Sequence, residues 1–134
     1  MPNGPSRHLS WAELACKDGT PYPIDWRETR GHAIGEMFEA FRAGFGRPLV
    51  VLSGYRTTTH NASIGGARLS QHLLGLAIDI RTPLRTPLKT FHTLATNYWM
   101  REQCKGLGLY PWGVHLDLRD GRRVLWTANG LKDS

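Results

Sequence analysis

Cysteine is scarce in this chain. Cys16 and Cys104 are the only two; they form no close thiol motif and are too few for a disulfide-stapled scaffold, so both are expected as reduced structural thiols. No apolar run approaches the length of a membrane span, and the first residues, Met1-Pro2-Asn3-Gly4-Pro5-Ser6-Arg7-His8, lack the apolar stretch of a secretory signal. The expectation is a protein made in the cytoplasm without a signal peptide and not inserted into a membrane. Internal repeats, heptads and low-complexity segments are absent too, which removes solenoids and coiled coils and favours a monomer.

What remains suits one compact domain. The 134 residues are 40% hydrophobic and include five Trp, four Tyr and four Phe, enough apolar surface to offset the entropy of ordering a single core. Seventeen Lys and Arg against eleven Asp and Glu give a net charge of +6, which favours acidic partners in general. These basic residues are dispersed rather than gathered with aromatics into a recognised module, so no nucleic-acid partner is expected.

Residues 1–9 read as a flexible arm, residues 10–130 as the domain and residues 131–134 as a C-terminal tail. Ser10-Trp11-Ala12-Glu13 has the form of a capping box and predicts a short helix over 10–15. Asp25 and Glu28 repeat that pattern, and Ala33, Ile34, Met37, Phe38, Phe41 and Phe45 then recur at helical steps until Gly44 or Gly46. Leu49-Val50-Val51-Leu52 reads as a buried strand, 57–69 as irregular backbone, and 77–81 as a strand with unlike faces. Pro87 opens a second long helix with Leu88, Phe91, Leu94, Ala95 and Tyr98 as its buried stripe, and Gly106 and Gly108 end it. Val114, Leu116 and Leu118 mark a further strand, which an Asp120-Gly121 turn connects to a hairpin partner at 122–126. This order predicts an α+β domain, with helices packed on one side of a small antiparallel sheet.

Alternation along these strands gives the polar residues a common face. If Val114 and Leu116 point into the core, His115, Asp117 and Arg119 point away from it; likewise Asp79 is opposite Ile78 and Ile80. His72 precedes Gly75 in the turn entering the second strand and can fold back toward Asp79. His72, Asp79 and His115 would thus offer two imidazoles and a carboxylate to one zinc ion on the cleft face of the sheet, with a fourth position left for water. The short helical motif His-Glu-x-x-His is absent, and spacing alone equally allows two ordinary histidines at a sheet edge.

Four ordered blocks then carry a resemblance: residues 9–16, Ser53-Gly54-Tyr55-Arg56-Thr57, Ser70-Gln71-His72 through Asp79, and Gly106-Leu107-Gly108-Leu109-Tyr110 with the His115 segment. Together they resemble the zinc D-Ala-D-Ala carboxypeptidase and peptidoglycan endopeptidase family, particularly its small phage-type members, within the wider group that includes lysostaphin and the hedgehog signalling domain. The resemblance implies zinc-dependent hydrolysis of an amide bond in peptidoglycan stem peptides or cross-links, with His72, Asp79 and His115 as ligands. It implies action on the cell wall after release or carriage by a virion, and makes Arg56 the arginine that approaches a substrate carbonyl or carboxylate.

Ser53, Tyr55 and Ser70 fall around the implied cleft, the serines as hydroxyls that orient loops rather than as nucleophiles. Tyr110, Trp112 and Trp126 either line a substrate groove or pack the core and rim. Where relatives carry an acid three positions before the last histidine, or a histidine two before it, this chain has Trp112 and Gly113. Asp117 is therefore either the displaced catalytic base or the residue that orients His115 and pairs with Arg119. The same departure leaves open a non-catalytic, zinc-containing wall-binding or virion structural protein.

Overall fold

The computed structural model describes residues 3–83 and 85–128; the expected tail at 131–134 lies outside them. Helix α1 spans Trp11–Leu14, and its capping box forms as expected: Ser10 accepts from the Glu13 backbone and Glu13 reaches back to the Ser10 N–H. A single 3₁₀ turn at Ile24–Trp26 and a π turn at Arg27–Gly31 lead into α2, His32–Phe45, which Gly46 closes in the left-handed conformation at φ 79°. The Asp25 and Glu28 capping pattern does not form. Asp25 lies inside the 3₁₀ turn, and Pro23, the residue at the cap, makes no side-chain cap bond.

Five strands follow: β1 Val50–Ser53, β2 Ala77–Arg81, β3 Gly106–Tyr110, β4 Gly113–Asp117 and β5 Val124–Thr127, in the sheet order β1-β2-β4-β3-β5. Between them lie α3 at Thr58–Ser63, a 3₁₀ turn at Gln71–Leu74 and α4 at Leu88–Met100. All pairings are antiparallel except β3 with β5. The sheet is thus mostly antiparallel within an α+β fold.

One face of the sheet makes the core. Ile78, Ile80, Leu107, Val114 and Leu116 are fully buried against Ile34, Met37, Phe38 and Phe41 of α2 and Phe91, Ala95 and Tyr98 of α4. Each such side chain contributes roughly 1.5–3 kcal/mol by leaving water. Phe41 meets Phe91 and Tyr98 edge-on, and the Tyr98 hydroxyl donates to the Met37 carbonyl across the two helices.

Several expectations are corrected. The stretch at residues 49–52 is not a buried strand: β1 is an edge, and all four of its residues are half-buried because a neighbour covers one side only. Residues 57–69 contain α3, which Thr57 caps by accepting from the His60 N–H. Leu88 is exposed rather than part of the buried stripe. Gly106 and Gly108 do not simply end α4; they belong to β3.

The hairpin expected after Asp120-Gly121 does not form either, because β5 passes β4 and pairs in parallel with β3. Residues 3–9 are packed rather than a free arm: Leu9 is buried in the core, and Ser6 and His8 bond to Glu39 of α2. His92, from α4, donates one N–H to the carbonyls of both Tyr110 and Gly113, which pins the two-residue β3–β4 turn to the helix.

Candidate metal centre

Register sets the site. Asp79 on β2 pairs with His115 on β4, His115 with Gly108 on β3, and Gly108 with Trp126 on β5, while Ser53 on β1 pairs with Asp79. These five residues form one row across the sheet, on the face opposite the core. His72 is not on a strand. Ser70 caps its 3₁₀ turn by accepting from the His72 N–H at 3.1 Å, and Gly75 closes the turn at φ 68°. A side chain at position 75 would run into Trp26 and Tyr22, whose hydroxyl donates to the Gly75 carbonyl. The turn thereby folds His72 over the row.

The ligand atoms converge on a point. His72 Nε2 lies 3.0 Å and His115 Nδ1 2.9 Å from Asp79 Oδ1, and the three atoms lie within 4.8 Å of one another. Atoms bound to one zinc at about 2.0–2.2 Å are separated by roughly 3–3.5 Å. All three residues are buried.

The opposite ring nitrogens decide the protons. His72 Nδ1 lies 2.6 Å from the Gly54 carbonyl, which can only accept, and His115 Nε2 lies 2.8 Å from Asp117 Oδ2. In its neutral form each ring would carry its proton on the outer edge and turn a lone pair toward Asp79. Two imidazole nitrogens and a carboxylate oxygen thus converge, a donor set that suits a cation. The residues fit a single metal ion.

Two supporting shells hold this geometry. Arg56, itself buried, donates from Nη2 to Asp79 Oδ2 at 3.2 Å, from Nη1 to Asn61 Oδ1 at 3.2 Å and from Nε to Ser53 Oγ at 3.1 Å. Asp79 consequently keeps Oδ1 free for the ligand cluster. Asn61 in turn donates to the Ala67 carbonyl. On the other side, Asp117 is fully buried and receives Arg119 Nη2 at 2.7 Å, Arg119 Nε at 3.0 Å and the Arg119 backbone N–H at 3.1 Å. Burial alone would raise its pKa, but hydrogen bonds and charges from His115 and Arg119 outweigh that and hold the carboxyl well below the usual carboxylate range.

The residues expected around a cleft separate into different surroundings. Ser53 and Arg56 meet the ligand cluster through Asp79, whereas Ser70 is buried behind His72 and its hydroxyl faces the His72 backbone. Tyr55 packs edge-on against Tyr22 and Trp26. Tyr110 is buried, stacks on the partly exposed Trp112 at 4.6 Å, and accepts from Trp126 Nε1 at 2.9 Å. Asp117 stands across the His115 ring from the ligand cluster, against the ring's outer nitrogen. Asn61 and the Gly54 carbonyl were not foreseen; nothing in a polar loop marks which amide or carbonyl will face a buried partner.

Comparison with protein families matches residues 7–117 to Peptidase M15. No curated protein matches the chain. The matched segment covers most of the chain and takes in Arg56, all three ligands and Asp117, but stops before Arg119 and β5. With the ligand geometry above, the match makes this chain a member of the peptidase M15 family, a zinc metallopeptidase with its metal site at His72, Asp79 and His115.

Proposed function

We propose that the chain hydrolyses an amide bond in the peptide stem or cross-link of bacterial peptidoglycan, with one zinc ion as its cofactor. The carrying observation is the convergence of one nitrogen from each imidazole on Asp79 Oδ1, with the opposite ring nitrogens beside the Gly54 carbonyl and the Asp117 carboxylate. Zinc in such a three-ligand site supplies Lewis acidity to a carbonyl oxygen and to water at neutral pH.

The protein's own groups do the positioning. Arg56 holds the Asp79 carboxylate, and its fixed positive charge beside the ligands favours a substrate oxygen on which negative charge develops. The stacked Tyr110 and Trp112 offer a rigid rim for a peptide, with Trp112 open to solvent. Ser53 holds the Arg56 side chain in place, and Ser70 the His72 backbone. In this reading the peptidase unit includes the packed N-terminal segment and works as a monomer on the wall after release or carriage to it.

The test is mass analysis of purified peptidoglycan incubated with the protein, with and without a chelator. New amino and carboxyl termini in stem peptides, lost on chelation, are expected and would identify the bond. Zinc-loaded protein that leaves a panel of cross-linked and uncross-linked stem peptides intact would overturn the proposal.

One observation favours a second reading, a zinc-containing protein that binds the wall without cleaving it. Trp112 and Gly113 occupy the positions where relatives carry an acid or histidine, and Asp117 is enclosed behind His115 by Arg119. Equilibrium binding of intact stem peptides without turnover is its signature.

A further inference from the structure

The family-matched segment ends at Asp117, yet the His115 ring is enclosed by residues that come after it. Arg119 places Nε and Nη2 on the Asp117 carboxylate, at 3.0 Å from Oδ1 and 2.7 Å from Oδ2. Its guanidinium carbon also lies 5.3 Å from the centre of the Trp126 ring. Trp126 lies 5.3 Å from the His115 ring at a 49° tilt, and its Nε1 donates to the Tyr110 hydroxyl. The four side chains therefore close a circuit, from His115 to Asp117, to Arg119, to Trp126 and back to His115.

The parallel pairing of β5 with β3 makes this circuit possible. It sets Trp126 opposite Gly108, in the same row as His115. A Cβ at position 108 would meet the Trp126 ring at 2.7 Å and Tyr110 at 2.6 Å, so the indole occupies space that only glycine leaves. A hairpin of β5 with β4 would have put it elsewhere.

We propose that Arg119, from the segment between β4 and β5, and Trp126, on β5, are positioning residues for the metal ligand His115, both supplied from outside the family-matched segment. Arg119 acts through Asp117: its planar fork fixes the carboxylate that receives the His115 Nε2 proton. Trp126 acts on the ring itself, bounding one side so that Nδ1 stays aimed at the ligand cluster. The inference rests on the metal-site reading and assigns no chemistry to either residue.

The experiment is an equilibrium titration of the full chain with zinc alone, against a competing chelator, together with denaturant unfolding of the metal-free protein. Arg119→Gln and Trp126→Ala are expected to weaken zinc binding by about 10–100-fold, the range typical of groups that orient a ligand. Arg119→Lys, which keeps the charge but loses the fork, is expected to fall between wild type and Arg119→Gln. Trp126→Phe, which keeps a ring against His115, is expected to retain most of the affinity. In an Asp117→Asn background, Arg119→Gln is expected to add little, because the group through which it acts is already changed.

Zinc affinity within about twofold of wild type in Arg119→Gln and Trp126→Ala, with only metal-free stability lowered, would overturn the proposal. If Arg119→Gln fails to fold, Arg119→Lys decides its role by the same comparison, and if Trp126→Ala fails to fold, Trp126→Leu, which fills the space without a ring, decides it for Trp126. Wild-type protein that binds no zinc would overturn the metal-site reading itself. Zinc-binding wild type with unaffected variants overturns only the positioning roles.

Discussion

Asp117 accepts the Nε2 proton of His115 at 2.8 Å, on the ring edge turned away from the ligand cluster. A carboxylate in that position strengthens and aims the opposite nitrogen; it does not reach a substrate without passing through the ring. Asp117→Asn keeps the shape while removing the charge that Arg119 and His115 share. The expected result is zinc affinity lower by about 10–100-fold, with turnover at saturating zinc reduced much less than the 10²–10⁴-fold attached to loss of a general base. Zinc titration and kcat at saturating metal separate the two. Collapsed turnover with unchanged affinity would return Asp117 to the role of base.

Asp79 joins two functions that one substitution separates from the rest of the fold. Its Oδ1 belongs to the ligand cluster and its Oδ2 accepts from the buried Arg56. Asp79→Asn is therefore expected to abolish stoichiometric zinc retention and also to destabilise the metal-free protein, by up to about 3–5 kcal/mol, since the buried Arg56 loses the charge of Asp79 from among its partners. Zinc content after dialysis and urea unfolding with chelator present check both parts. Unchanged metal-free stability would mean that Asn61, Ser53 and the remaining partners of Arg56 suffice.

The ligand face was legible because strand periodicity leaves no choice. Once Val114 and Leu116 are buried, His115 and Asp117 must share the other side, and Ile78 with Ile80 does the same for Asp79. Helix α2 was legible from its spacing of aromatics and the left-handed Gly46. Strand β3 was not, because Gly106 and Gly108 look locally like the end of a helix. Their reason for being glycine lies on other strands, in the Asp117 carboxylate and the Trp126 ring.

The partner of β5 was hidden for a similar cause. An Asp-Gly turn favours reversal but does not choose which strand receives the returning chain, and here that strand is β3. Arg56 was identified as a functional arginine, but its engagement with Asp79 depends on α3 bringing Asn61 beneath it, and α3 has no apolar periodicity to announce it.

Three glycines provide a graded test of that explanation. A Cβ at Gly106 would meet both Asp117 oxygens at 2.4 Å, and those oxygens are fixed by His115 and Arg119. Gly106→Ala is expected to cost about 1–3 kcal/mol, as overpacking does, and to weaken zinc binding as well. Gly108→Ala is expected to destabilise by a similar amount through Trp126 and Tyr110. Gly44, within α2, has open space where its Cβ would be, so Gly44→Ala is expected to stabilise by roughly 0.5–1 kcal/mol through helix propensity. Denaturant midpoints of the three variants check the order; a harmless Gly106→Ala would mean that the Asp117 carboxylate can yield.

Cys104 gives the fold a predictable weakness at high pH. Burial pushes its thiol up to about 12, with the nearby Asp117 charge adding to the effect and Arg123 and His115 opposing it in part. In the unfolded chain the same thiol titrates near 8.5. Between those two values the unfolded state has released the proton while the folded state retains it, so the unfolded state binds fewer protons and stability falls as pH rises. Below about pH 8 both states are protonated and the contribution is constant. Urea unfolding at pH 8, 9 and 10 is expected to show wild type losing stability more steeply than Cys104→Ala, by on the order of 1 kcal/mol per unit. Parallel slopes for the two proteins would show that the thiol ionises in the folded state as readily as in the unfolded one.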